Sequence, residues 1–274
     1  MSIFQQSPGS TPKHATRGAC AWFEHLSSSS QPALRVFCLP YAGGSADVYR
    51  PWQRWFSAEI DLCLVHLPGR VRRIGEQPFN RMDALVNAIA DHIEPELHLP
   101  YIFYGHSMGG LVAFELAREL SHRRLTGPKS LLVSGCRAPH IPDSGPLTAG
   151  LPDKEFIAEL KRLKGTPHEI LENPELMQLF IIVLRADFEL VETYRYTGDE
   201  KLQCPVTVYC GLHDEEVSLE SSRAWQSRTS SAVTLRTFEG DHFFIRSSEP
   251  ALRDAFRRDV LFSASLPQLP SPPR

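Results

Sequence analysis

Tyr101-Ile102-Phe103-Tyr104-Gly105-His106-Ser107-Met108-Gly109-Gly110-Leu111-Val112-Ala113-Phe114-Glu115-Leu116 is the stretch that decides the architecture. Its first four residues are a short apolar run of the kind that fits a buried strand, and from Met108 to Ser121 the pattern becomes that of an amphipathic helix. Between them stands Gly105-His106-Ser107-Met108-Gly109, a G-x-S-x-G sequence. A chain that passes from strand to helix in so few residues turns sharply, and the side chains flanking the turn must be small, which accounts for Gly105 and Gly109. Such a turn lifts Ser107 above the sheet. The helix N-terminus behind it favours developing negative charge.

The same alternation extends outward from this unit. Buried strands are expected at Leu34–Leu39, Leu62–Leu67, Ser130–Ser134, Pro205–Cys210 and Val233–Phe238, besides Tyr101–Tyr104. Helices are expected over Arg81–His98 (interrupted at Pro95), Leu219–Ser227 and Pro250–Phe262. Strands alternating with helices imply an α/β fold, with a mostly parallel sheet covered on both faces. Residues 138–200 break the rhythm. They contain no strand pattern but two helical segments, Asp153–Leu163 and Pro174–Tyr194. The second carries more apolar residues than one packed face needs, which suits a lid over a substrate channel and ordinary packing of a helical layer alike. Phe180 and Phe188 are its candidate substrate contacts.

The chain has 274 residues and a net charge of −3, with nothing that favours nucleic acid or anionic lipid. Its densest apolar patch, Leu179–Leu184, is far shorter than a membrane span. The first thirty residues, rich in Ser, Gln, Pro and Thr, read as a mobile leader with a short helix near Trp22 and Phe23. The folded domain is expected over residues 31–262, and 263–274 read as a Pro-rich tail. The six cysteines show no metal-type pairing, and three lie in strand-like runs as small apolar residues. A reduced, cytoplasmic protein is expected, monomeric, without metal or cofactor.

Serine is a weak nucleophile without a base. His242, in Glu239-Gly240-Asp241-His242-Phe243-Phe244 just past the last strand, is the best-placed histidine. His213 and His168 are placed less well, and His106 adjoins Ser107 on a turn whose neighbouring side chains point apart. Asp214 follows the strand Pro205–Cys210 at the sheet edge where open α/β sheets place their sites. Its neighbours Glu215 and Glu216 stay open as alternatives, while Asp187, Asp199 and Asp241 are placed worse. An oxyanion needs two donors. The N–H of Met108 is one, and Leu39-Pro40-Tyr41-Ala42-Gly43-Gly44-Ser45 offers the second, from Ala42, or else Tyr41 or Gly43. Arg70, Arg72 and Arg73 form a basic cluster that either pairs with local carboxylates such as Glu76 or meets an anionic ligand.

Phe37-Cys38-Leu39-Pro40-Tyr41-Ala42-Gly43-Gly44, Leu67-Pro68-Gly69-Arg70, the G-x-S-x-G turn, Leu184-Arg185-Ala186-Asp187 and Gly240-Asp241-His242-Phe243 occur in that order across residues 34–262. Together they resemble the type II thioesterases of nonribosomal peptide and polyketide synthesis. The resemblance implies the α/β-hydrolase fold with a helical lid, a triad of Ser107, Asp214 and His242, and an oxyanion hole from Ala42 and Met108. It also implies hydrolysis of acyl thioesters on the phosphopantetheine arm of acyl or peptidyl carrier proteins, in an editing role. A chain-terminating thioesterase, a carboxylester hydrolase and a non-catalytic carrier-binding protein are the competing readings.

Overall fold

The computed structural model describes residues 21–142 and 145–267. In chain order its elements are β1 (Phe23–His25), β2 (Leu34–Leu39), β3 (Ile60–Val65), α1 (Met82–Ile93), β4 (Tyr101–His106), α2 (Met108–His122), β5 (Leu131–Ser134), α3 (Asp153–Leu163), α4 (His168–Leu171), α5 (Pro174–Thr193), β6 (Val206–Gly211), α6 (Leu219–Arg223), β7 (Val233–Phe238), α7 (Phe244–Ser247) and α8 (Glu249–Ser265). The strands form one sheet in the order β1-β3-β2-β4-β5-β6-β7. β2 to β7 run parallel, and β1 pairs antiparallel with β3.

All six expected strands form, their ends moved by no more than two residues. β2, β3, β4 and β5 are buried throughout, as strands covered on both faces must be. Alternate residues serve opposite layers. Phe37 and Leu39 of β2 join the core beneath α1 and α2, while Leu34, Val36 and Cys38 join the one packed by Trp52, Trp55 and Phe256. Trp52 and Trp55 stand on a 3₁₀ segment, Ala46–Trp55, that is not among the expected helices although Ala46, Tyr49, Trp52 and Trp55 recur every third residue, and their rings stack at 4.5 Å.

The short helix expected at Trp22 and Phe23 is a strand instead. Three residues are too few for a periodicity, and the free edge of β3 supplies the pairing partner: Phe23 lies opposite Val65 and His25 opposite Cys63. Trp22 and Phe23 are buried. Residues 1–20 of the expected leader and 268–274 of the expected tail lie outside the described residues; of the rest, the Ser27 N–H donates to Asp61 Oδ1, and α8 continues to Ser265, three residues into the expected tail, with Ser263 buried.

Between β5 and β6 the described residues form no strand. α3, α4 and α5 enclose a small core of their own, built on Phe156, Leu160, Met177 and Leu184. The chain leaves β2 toward β3 on one side and returns to β4 on the other, so the order reverses between β2 and β4. Crevices at the carboxyl ends of strands form at such reversals. Among the described residues no helix is long and apolar enough to cross a membrane.

Candidate active site

Ser107 stands at the end of β4 with φ 53° and ψ −120°, a conformation that costs a non-glycine residue about 1–3 kcal/mol. The surroundings enforce it. The Ser107 N–H donates to Ser134 O at 2.8 Å, and the Gly110 N–H donates to Ser107 O at 2.9 Å. A Cβ on Gly105 would lie 2.1 Å from Gly109 O, and one on Gly109 would lie 2.3 Å from Leu39 O. The glycine spacing is therefore a packing requirement of this turn.

The loops after β6 and β7 bring Asp214 and His242 together. His242 Nδ1 lies 2.9 Å from Asp214 Oδ2, and the Asp214 side chain is fully buried. Its other oxygen accepts the N–H groups of Glu216 at 2.9 Å and Val217 at 3.0 Å. With the carboxylate held this way, the Nδ1–H donates to it and Nε2 keeps its lone pair. The alternatives lie elsewhere. Glu216 pairs with Arg162 at 2.7 Å, and Glu215 and Asp199 are exposed. Asp241 pairs with Lys164, and His213 with Glu239. His168 is exposed. His106 is fully buried and does not line Ser107's cavity, with Nδ1 3.0 Å from Ser134 Oγ.

Ser107 and His242 line one cavity of about 510 Å³ together with Tyr41, Ala42 and Met108. That lies inside the range of about 300–1,000 Å³ usual for small-molecule sites. Met108 opens α2, where first-turn N–H groups have no acceptor within the helix. In the Tyr41–Gly44 loop, the Gly43 N–H donates to Asp187 Oδ2 at 2.7 Å, and the Gly44 N–H turns back to Tyr41 O. Gly43 is thus removed as an oxyanion donor, leaving Ala42 and Tyr41. Phe188 lines the cavity beside Leu184 and Val191. Phe180 does not: it stands two turns earlier on the same stripe of α5 and packs on the lid's own core, against which Phe188 packs as well. The spacing of apolar residues along α5 fitted both roles, because Leu184 and Phe188 belong at once to the lid core and to the cavity wall.

Asp187 is the residue whose part the sequence concealed. Its carboxylate takes two parallel bonds from Arg70, at 2.9 and 2.8 Å, and Arg70 also donates to Gly44 O at 3.1 Å. Both side chains are buried, Arg70 at 6% exposure and Asp187 at 2%. This pair fastens the lid helix to the Tyr41–Gly44 loop. Arg72 pairs with Glu24, and Arg73 with Glu76 while lying over the Trp22 ring. All three arginines of the basic cluster therefore have carboxylate partners, of which only Glu76 is a near neighbour in sequence, and Arg70 is not free to meet a ligand.

The parallel sheet, the serine turn and the carboxylate–imidazole pair define a serine hydrolase of the α/β-hydrolase fold. The thioesterase domain family matches residues 34–259, and the chain belongs to that family. It is 40% identical over 228 residues to the gramicidin S biosynthesis protein GrsT of Aneurinibacillus migulanus, covering 83% of this chain and 89% of that one. It is 35% identical to the thioesterase PikA5 of Streptomyces venezuelae over 82% of this chain and 80% of the other. The solved structure of the type II thioesterase BorB, from the borrelidin biosynthetic cluster, superposes with a TM-score of 0.81 at 33% identity, over 88% of this chain and 98% of that one.

Proposed function

We propose that this thioesterase frees carrier proteins of misprimed or stalled acyl groups in nonribosomal peptide or polyketide synthesis, with Ser107 as nucleophile. The observation that carries the reading is the His242–Asp214 bond at the mouth of the cavity that Ser107 lines. His242 Nε2 takes the Ser107 proton as Oγ attacks the thioester carbonyl. The oxyanion that forms is met by the N–H groups of Met108 and Ala42, and Asp214 stabilises the imidazolium. The C–S bond breaks, the thiolate of the arm leaves with the proton from His242, and an acyl-Ser107 ester remains. Water, deprotonated by His242, then attacks that ester, and Ser107 leaves with the proton as the free acid departs.

GrsT and BorB, whose names place them in gramicidin S and borrelidin biosynthesis, support the setting. The cavity supports a broad acyl range, since its walls mix Leu111, Leu184 and Val191 with Glu192 and Arg195. An apolar pocket discriminates by only about 1–3 kcal/mol per methylene. The test is kcat/KM across a series of acyl lengths, each carried on a carrier protein and on a short thiol. The reading expects a shallow length profile and faster cleavage from the carrier, where remote contacts add binding energy. A sharp optimum at one long chain indicates product release instead, and equal rates on both thiols remove the carrier from the reading.

A further inference from the structure

His106 stands beside Ser107 in sequence, and the chemistry above makes no use of it. Its ring is completely buried, with its centroid 5.1 Å from that of His242. Tyr41, Phe243 and Phe244 close around it at 5.8, 5.5 and 6.0 Å. Its Nδ1 is held by Ser134 Oγ at 3.0 Å. Its Nε2 is turned toward the main chain of His242 but makes no well-formed hydrogen bond. Even the backbone below gives way to these two rings: Gly135 takes φ +51°, and a Cβ there would lie 2.7 Å from His106 Cε1 and 3.3 Å from His242 Cε1.

Two consequences follow. The His242 ring packs against a second ring inclined to it by 50°, which is fixed in turn by the sheet through Ser134. Burial, with His242 and Arg246 nearby, holds the His106 imidazole well below its ordinary range, so that it is neutral at neutral pH. A neutral ring can lie under an imidazole that becomes a cation during turnover, whereas a second cation would oppose it. Asp214 fixes His242 from one edge only, through Nδ1. A one-bond tether leaves the ring free to tilt about that bond, and a buried ring packed against it restricts the freedom.

We infer that His106 is a positioning residue for His242: a buried ring that sets the height and tilt of the general base against Ser107. The inference rests on the assignment of Ser107 and His242 made above. Misplacement of a reacting group by 1 Å costs on the order of 10²-fold in rate. His106→Ala, which leaves a ring-sized gap under His242, should therefore lower kcat by roughly 10–100-fold with KM little changed. His106→Phe restores the flat surface without the Ser134 bond and should recover most of the rate. His106→Gln keeps a polar group near Ser134 without a ring and should not.

Two readouts are compared at a temperature where each variant is shown folded by its circular dichroism melt. One is kcat and KM on a short acyl thioester. The other is the rate at which a fluorophosphonate labels Ser107, which needs the base but no thioester. Wild-type protein that resists the fluorophosphonate overturns the triad assignment itself. Wild-type labelling with equally fast labelling of His106→Ala overturns the positioning role alone. So does a loss confined to KM, or recovery by Gln and not by Phe.

Discussion

Two of the lid's attachments to the loops of the sheet are of unlike character. At the α5 end, Asp187 lies at 2% exposure in a two-bond pair with Arg70 and accepts the Gly43 N–H besides. At the other, the turn after α3 touches the His242 loop through Lys164 and Asp241, 3.4 Å apart with side chains 70% and 43% exposed, and through Arg246 donating to Gly165 O at 3.0 Å. Removing one partner of a buried ion pair leaves an uncompensated charge, at a cost of about 3–5 kcal/mol. An exposed pair contributes about 0–1 kcal/mol. The same kind of contact thus anchors the lid at one end and merely rests it at the other, and burial makes the difference. Chemistry and anchoring are also separate: the proposed triad stands on loops of the sheet, and the lid supplies walls.

The largest effects test that separation. Ser107→Ala should lower turnover by about 10⁶-fold and Asp214→Asn by about 10⁴-fold, with Glu216→Gln close to wild type. Melting temperatures should stay near wild type for Ser107→Ala, whose hydroxyl supports no packing. Steady-state hydrolysis of a short acyl thioester decides it. A severe loss from Glu216→Gln with a mild one from Asp214→Asn would reassign the acid.

Next comes the contrast between the two attachments. Asp187→Ala should lower the melting temperature by roughly 10 °C, from a loss of about 3–5 kcal/mol at roughly 2–4 °C per kcal/mol. Lys164→Ala should move it by no more than about 2 °C. Thermal melts of the two proteins side by side would break the comparison if the shifts were alike.

Within α5 the comparison is between a residue that lines the cavity and one that packs only in the lid's core. Phe188→Ala enlarges the cavity and should shift the acyl-length profile toward longer chains. Phe180→Ala opens a void in the lid's own core and should cost stability, about 3–5 kcal/mol when the site cannot collapse, with the profile unchanged. Equal profiles for both variants would undo the division of the helix.

The smallest expected effect lies at the opposite edge of the sheet. The hydrogen bond to Asp61, foremost, and those to Cys63 and Glu96 raise the His25 imidazole from 6.5 to about 11. Arg35, which pairs with Asp61 and Glu96, is the neighbouring cation. A raised folded-state value gives stability that is whole below about pH 6.5 and fades as pH climbs toward 11. The melting-temperature gap between wild type and His25→Gln should therefore be widest at pH 6 and narrow by pH 10. A gap constant over that range would show that His25 holds β1 by shape rather than charge.

The sequence by itself determined whatever rests on neighbours along the chain. Strand and helix types follow from apolar spacing, and the serine turn from two glycines placed where any side chain would strike the backbone. Serine, aspartate and histidine past the ends of β4, β6 and β7 were legible for the same reason, since the carboxyl edge of a parallel sheet collects its loops. Tertiary structure decided what depends on direction and on distant partners. Asp214, Glu215 and Glu216 are adjacent, and only the path of the loop turns the first inward to His242 and the third outward to Arg162. Arg70 and Asp187 stand 117 residues apart, and Gly43 and Asp187 stand 144 apart. No local pattern encodes those partners, because a buried charge chooses the one counter-charge that packing delivers to it.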